Sequence, residues 1–332
     1  MLDNMQFELS EELIAQEPAS PRDHARMLVY DRATKIIIDD YFYNLLNYLP
    51  DPTCVVVNNS KVEHCRMLFS GGKREIFVLE NANNTTVRAL VRPGTVFKLG
   101  NEVELTPNVS AKVTVIDEDG IRTLEFSENV DYPDLLSAQH VPLPPYIKQN
   151  DTLADEYQTI YAKDLGSKAA PTAGLHFTLE LTEQVKKQRD WAELTLYVGL
   201  GTFACLTPEQ LESGHLHEEL YEVDAQTMKQ ISSASHITAV GTTSVRTLET
   251  LYGRNLEQSR DDIKGTTDIL IKPGYEYKRV NSLVTNFHLP GTSLLLLVAA
   301  FIGSEEELMT IYSHAIANKY RFYSFGDCML VV

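Results

Sequence analysis

Cysteine is scarce in this chain. Cys54, Cys65, Cys205 and Cys328 are four of 332 residues, far apart and without a CxxC pair. That spacing excludes a zinc ribbon or a disulfide framework and predicts four reduced thiols in a cytoplasmic protein. Long apolar runs are missing too. The longest, Leu294 to Ile302, has nine residues, against about 20 for a membrane span, so no membrane partner is expected. The amino terminus, MLDNMQFELSEELI, is acidic and lacks an apolar segment, which argues against a signal peptide. No GxGxxG loop follows a strand, so a dinucleotide fold is not expected. Internal repeats and low-complexity tracts are likewise absent. Basic residues are in deficit: 29 Lys and Arg against 46 Asp and Glu give −17. Such an average does not suggest a nucleic-acid binder, but local patches decide docking. Residues 60–98 invert it: Lys61, Arg66, Lys73, Arg74, Arg88, Arg92 and Lys98 face only Glu63, Glu75 and Glu80, a local +4. A solvated strand surface accounts for the same run.

What is present is a globular composition, 43% hydrophobic and 23% charged, at a length that suggests about two domains. Ser10–Ile14 reads as a short helix, Arg26–Asp31 and Lys35–Asp39 as a hairpin, and Thr53–Asn58 as a buried strand. Short alternating segments follow at 75–79, 86–91, 102–105, 112–116 and 123–126, separated by Gly71-Gly72, Pro93-Gly94, Gly100-Asn101 and Asp119-Gly120. They predict a small antiparallel barrel or sandwich, closed off by the stiff Pro142-Leu-Pro-Pro145 connector. Thr207-Pro-Glu-Gln210 is a capping box, and Ser304–Glu307 opens a helix with a stripe at Leu308, Ile311, Tyr312, Ala315 and Ile316. Ile269–Ile271 reads as a strand ending at Pro273-Gly274. The fold expected is mixed α+β. An α/β main domain (1–61 and 148–332) carries a small antiparallel β-barrel-like domain inserted at 62–147.

Five segments carry possible chemistry. In Val240-Gly-Thr-Thr-Ser-Val-Arg-Thr-Leu-Glu a strand runs through Gly241 into a helix, with Thr243 as the expected N-cap and Arg246 one turn in. Free N–H groups there suit a carboxylate or phosphate; an ordinary capped turn is the alternative. In Pro171-Thr-Ala-Gly-Leu-His-Phe-Thr178 a turn delivers His176, either a proton carrier near neutral pH or a partner for a backbone carbonyl. Tyr197–Phe203 reads as a strand whose two glycines admit a ligand or a backbone, and beyond it His215, His217 and Glu219 alternate along a strand and share one side. The trio suits a metal, a proton-transfer cluster or a solvated edge. No fourth ligand has obvious spacing, so no metal is expected. In Val284-Thr-Asn-Phe-His-Leu-Pro-Gly-Thr-Ser293, Asn286 and His288 lie in a polar loop that either satisfies its own backbone or recognises a ligand. The helix start at Thr292–Ser293 offers a second set of amides.

PTAGLHFT, VGLGTF, HxHxExYEV, VGTTSVRTLE, TNFHLP and YRFYSFGDCM, in this order, resemble the S-adenosylmethionine:tRNA ribosyltransferase-isomerase family of queuosine biosynthesis, over nearly the whole chain. PLPPYI, YQTIYA and GSKAAPTAGLHF extend the match. The resemblance implies transfer and isomerisation of the ribosyl part of S-adenosylmethionine onto 7-aminomethyl-7-deazaguanine at the wobble position of a tRNA anticodon. The product would be epoxyqueuosine-tRNA, with adenine and methionine released. S-adenosylmethionine is then a consumed co-substrate, no further cofactor is expected, and the protein acts as a monomer. Proton transfers fall to His176, His217, Glu219 and His288. Thr242, Thr243, Ser244 and Arg246 suit the methionine carboxylate or a phosphate, and Asn286 the edge of a base. Thr172, Ala173, Gly174, Gly199, Gly201 and Phe287 complete the expected substrate contacts, and Arg66 with the basic segment suits tRNA. The sequence departs from the family where NDTRV becomes Asn58-Asn-Ser-Lys-Val62 and where the histidine of LHVG becomes Tyr197. These changes keep open a paralogue that binds RNA or a nucleoside without catalysis. A conventional methyltransferase is the third reading, disfavoured by the missing glycine-rich loop.

Overall fold

The computed structural model describes residues 5–148, 150–199, 201, 206–254 and 261–332. They form two compact units, one from residues up to 62 with 143–332 and one from 63–142. The first unit is built on a nine-stranded mixed sheet. In spatial order its strands are Ile263–Ile269, His215–Val223, Asp190–Leu196, Cys54–Asn58, Ile237–Val240, Ser282–Asn286, Cys328–Val331, Arg26–Asp31 and Ile36–Tyr41. The strands from Asp190–Leu196 through Ser282–Asn286 are mutually parallel. Their near-continuous apolar sequences follow from burial on both faces. Cys54 and Val56 point into one core with the helices Ala225–Ser233, Thr242–Gly253, Ser293–Ile302 and Glu305–Ala317. Val55 and Val57 point into the other, with Leu181 and Val185 of helix Leu179–Gln188 and with Phe42 and Leu45. The period of two along one strand thus serves two cores.

Local chemistry sets the helix ends. Thr178 accepts from Leu181 N (3.2 Å) at the head of Leu179–Gln188. Thr207 and Gln210 form the reciprocal capping box, and Ser304 accepts from Glu307 N (3.2 Å). Thr292 accepts from Leu295 N (3.3 Å), so one amide of the helix start at Thr292–Ser293 is taken by its own cap. The expected cap at Thr243 is corrected: helix Thr242–Gly253 starts two residues earlier, with Gly241 as N-cap at φ 86 and no side-chain cap. Glycine adopts that backbone without steric penalty, and the strand turns directly into the helix. Two strand expectations also shift. The strand Asp190–Leu196 ends before Tyr197, although Tyr197 N still donates to Leu220 O; Leu200, Thr202 and Phe203 of the expected strand, and Ala204 and Cys205 after it, lie outside the described residues. The strand expected at Ile269–Ile271 ends at Ile269 instead, because its pairing runs upstream along His215–Val223.

The second unit is one antiparallel sheet of seven strands, in the order Gln139–His140, Arg66–Phe69, Arg74–Asn81, Thr86–Arg92, Arg122–Phe126, Val109–Ile116 and Glu102–Thr106. It curls over an apolar core that includes Ile76, Val87, Ala89, Phe97, Val113 and Leu124. Among the described residues the two end strands do not pair with each other, so the sheet is an open half-barrel. Cys54, Cys65 and Cys328 are buried thiols outside any disulfide.

Candidate functional site

The four parallel strands share one polarity, so their carboxyl ends open along one edge of the sheet, where open α/β sheets bind ligands. A cavity of about 890 Å³, counted to its open mouth, lies there within the first unit. Val198, Gly241 with Thr242 and Thr243, and Asn286 to Leu289 line it from the strand ends; Thr172 and Ala173, then Tyr146 and Tyr323, line it from the loops. Among the described residues no Asp, Glu, Lys or Arg side chain lines it.

Helix Thr242–Gly253 presents its uncapped N-terminus here. Thr243 lines the cavity, and its hydroxyl is buried with no hydrogen-bond partner among the described residues. A buried hydroxyl left without a partner costs about 1–3 kcal/mol, and a ligand oxygen would satisfy it. Ser244 faces the other way and donates to Val240 O (2.8 Å). Arg246 is buried and pairs with Glu219, whose other oxygen accepts from Gly199 N (2.8 Å). Among the described residues neither Arg246 nor Glu219 lines the cavity. Together they tie the N-terminal part of the helix to the middle of strand His215–Val223 and to Gly199.

The expected imidazoles separate. His288 lines the cavity; its Nε2 lies 2.7 Å from Thr285 Oγ1 and its backbone N–H donates to the Tyr312 hydroxyl (2.9 Å). Desolvation pushes its pKa down to about 3. His176 ends the helical turn Thr172–His176 and is buried behind the cavity against the Phe42 ring. Its Nε2 is 3.3 Å from Asn286 Nδ2, and burial, aided by Arg321 and Arg22, holds its pKa down at about 3. Both rings are therefore neutral at pH 7. The His215, His217 and Glu219 trio does not converge. A register irregularity lies between His215 and Glu219. His215 is exposed beside Asp268 (2.7 Å), His217 is exposed and packs on Gly201, where an added Cβ would meet its ring at 3.0 Å, and Glu219 is committed to Arg246. No metal-binding cluster occurs among the described residues.

A depressed histidine pKa makes stability pH-dependent. The unfolded chain binds the proton near pH 6.5 and the native His176 does not until about pH 3, so stability falls as pH drops through that window. We expect His176 to contribute a loss of about 1.4 kcal/mol per pH unit below 6.5, with His288 acting in the same direction. Urea unfolding at pH 7 and pH 5 checks this, and equal midpoints would refute it.

Asn286 is fully engaged. Its Oδ1 accepts from Thr172 Oγ1 (2.9 Å), and its Nδ2 faces His176 and donates to Tyr323 O (3.2 Å). The amide that was expected to read a base edge holds the cavity wall together instead. Gly174 makes room for Tyr161, whose hydroxyl would lie 2.0 Å from an added Cβ. Phe287 lines the cavity while packing on Tyr312 and Phe322. The sequence reading missed Tyr146 and Tyr323. Their rings lie 4.2 Å apart at 34°, and Tyr146 Oη is 2.6 Å from Ser324 Oγ. PLPPYI and YRFYSFGDCM carried that signal, but nothing local brings two segments so far apart in sequence together.

Among the described residues the departures from the family pattern lie off the cavity. Asn59 is buried and accepts from Thr195 Oγ1 (2.7 Å), Lys61 is exposed, and Tyr197 packs on Gly166. In the second unit, Arg66 pairs with Glu75 (2.9 Å), Arg88 with Asp117 (2.9 Å) and Glu80 (3.5 Å). The basic segment is thus partly neutralised on its own sheet, leaving Lys73, Arg92 and Lys98 exposed.

Residues 2–331 match the family described as queuosine biosynthesis protein. The chain is 43% identical to an S-adenosylmethionine:tRNA ribosyltransferase-isomerase of Thermotoga petrophila and 42% identical to one of Clostridium kluyveri, each alignment covering 98% of both chains. It is also similar to a crystal structure of S-adenosylmethionine tRNA ribosyltransferase from Thermotoga maritima, at 36% identity and a TM-score of 0.57, over 99% of this chain and 100% of that one.

Proposed function

The chain belongs to the queuosine biosynthesis protein family, as a tRNA ribosyltransferase-isomerase, and from that premise we propose that the cavity at the carboxyl ends of the parallel strands holds S-adenosylmethionine as a consumed co-substrate. Its ribosyl group passes to 7-aminomethyl-7-deazaguanine at the wobble position of a tRNA. The observation that carries the reading is the uncapped N-terminus of helix Thr242–Gly253 with the unpartnered Thr243 hydroxyl beside it, both at an otherwise uncharged cavity. Amides and hydroxyl suit the methionine carboxylate, and the helix dipole favours a negative charge there.

The chemistry begins at the sulfonium, which acidifies the hydrogens on the adjacent 5′ carbon. Removal of one of them, departure of adenine and attack by the substrate amine transfer the sugar. An alkoxide then closes the epoxide and expels methionine. His288 is the imidazole that lines the cavity, and burial keeps it neutral, a hydrogen-bonding partner for the reacting groups rather than a strong base. Thr285 fixes its ring. His176 acts one layer back, through Asn286. The low-polarity walls exclude water while adenine and the sugar separate.

Incubation with S-adenosylmethionine and tRNA bearing the deazaguanine tests the reading. Free adenine and methionine are expected; S-adenosylhomocysteine would instead indicate methyl transfer, and no product a binding role alone. Thr243→Val, which keeps the shape and removes the hydroxyl, is expected to weaken S-adenosylmethionine binding about tenfold with the fold intact. An unchanged Kd by titration calorimetry would remove Thr243 from the site.

A further inference from the structure

Tyr323 has φ 72, a left-handed conformation that is a genuine outlier for a bulky side chain. Glycine would adopt it without penalty, so a turn that needed only this backbone shape would be less strained with glycine. The strain is held in place from both sides. Tyr323 N donates to Phe287 O (3.3 Å), and Tyr323 O accepts from Gly326 N (3.0 Å) and from Asn286 Nδ2 (3.2 Å). Asn286 is fixed in turn by the Thr172 hydroxyl. Strain maintained this way points to a task for the side chain, and the side chain lines the cavity, backed by the Tyr146 ring.

A sulfonium is a permanent cation that no proton loss can neutralise, and burying it without compensation is costly. Among the described residues no carboxylate lines the cavity to pair with it. A carboxylate there would also be a nucleophile that a sulfonium alkylates, whereas an aromatic face attracts a cation without attacking it.

We propose that the face of the Tyr323 ring seats the positively charged sulfur of the co-substrate, and that Asn286 is the positioning residue that holds the ring there. This rests on the co-substrate reading above. It assigns to Tyr323 the discrimination between the sulfonium and its neutral thioether counterpart, and to Thr243 the affinity common to both.

Titration calorimetry with S-adenosylmethionine and S-adenosylhomocysteine on the full-length protein provides the test. The wild type is expected to prefer the cation about tenfold. Tyr323→Phe keeps that preference and Tyr323→Leu brings the ratio to about one. Asn286→Ala lowers the ratio too, which a merely structural role would not do, since general loosening weakens both ligands alike. Should Tyr323→Leu fail to fold, Tyr146→Leu reads the same ratio by removing the ring's support, and is expected to lower it. A ratio retained in the Leu variants overturns the proposal. So does equal weakening of both ligands, which would place the ring against adenine. A wild type that binds the two equally refutes the sulfur assignment alone, while one that binds neither overturns the co-substrate reading and this inference with it.

Discussion

Gly326→Ala is expected to lower turnover about 100-fold and stability by about 3 kcal/mol. A Cβ at position 326 would stand 2.5 Å from Arg321 O and from the Phe322 carbonyl carbon, and 2.6 Å from Phe322 O. These are backbone atoms of the same turn, so no side chain can swing aside. The turn is held by Gly326 N to Tyr323 O (3.0 Å), Asp327 N to Arg321 O (2.8 Å) and Arg321 N to Asp327 Oδ2 (2.8 Å). Opening it moves Tyr323, and with it one wall of the cavity. Urea unfolding and single-turnover release of adenine measure the two effects. A variant with the wild-type midpoint and rate would show that the turn relaxes without cost.

Glu249→Ala is expected to cost about 4 kcal/mol of stability. Glu249 lies on helix Thr242–Gly253 and is fully buried. One carboxylate oxygen accepts from Arg279 N (3.0 Å) and Val280 N (2.9 Å), the other from Lys278 N (2.8 Å) and the Tyr275 hydroxyl (3.0 Å). These donors solvate the carboxylate inside the protein and bind the 275–280 loop to the helix. Truncation leaves the buried N–H groups of Arg279 and Val280 unpartnered as well as opening a void. Glu249→Gln keeps the shape but sets an NH₂ against N–H donors, so an intermediate loss is expected. A loss below about 1 kcal/mol for the alanine variant, by chemical unfolding at pH 7, would mean the loop is held by other contacts.

The helix ends at Thr207 and Ser304 were readable because a cap needs residues only three positions apart. The Leu308, Ile311, Tyr312 and Ala315 stripe was readable because the helical period is local. Thr243 shows where such reasoning stops. Its residue type and place before a helix marked it as a cap, yet Gly241 takes the cap through its backbone freedom and leaves the hydroxyl for the cavity. Asn286 shows the same at longer range: its sequence context offered a free amide, but partners at Thr172, His176 and Tyr323 come from segments distant along the chain. The alternation of His215, His217 and Glu219 promised one shared face, but the pairing shifts register between His215 and Glu219, and Glu219 is spent on Arg246.

The sequence alone determined several of the helices and strands, the two composition regimes that become the two large sheets, and the ordered motifs that mark the family. Propensity, capping and periodicity act over a few residues, and motifs are read in order along the chain. Only the tertiary structure decided which motifs meet: His288, Thr243 and Tyr323 around one cavity, His176 behind it, and Glu219 spent on Arg246. Burial, strand register and the saturation of each donor and acceptor depend on segments far apart in sequence, and they exist only once the chain has closed on itself.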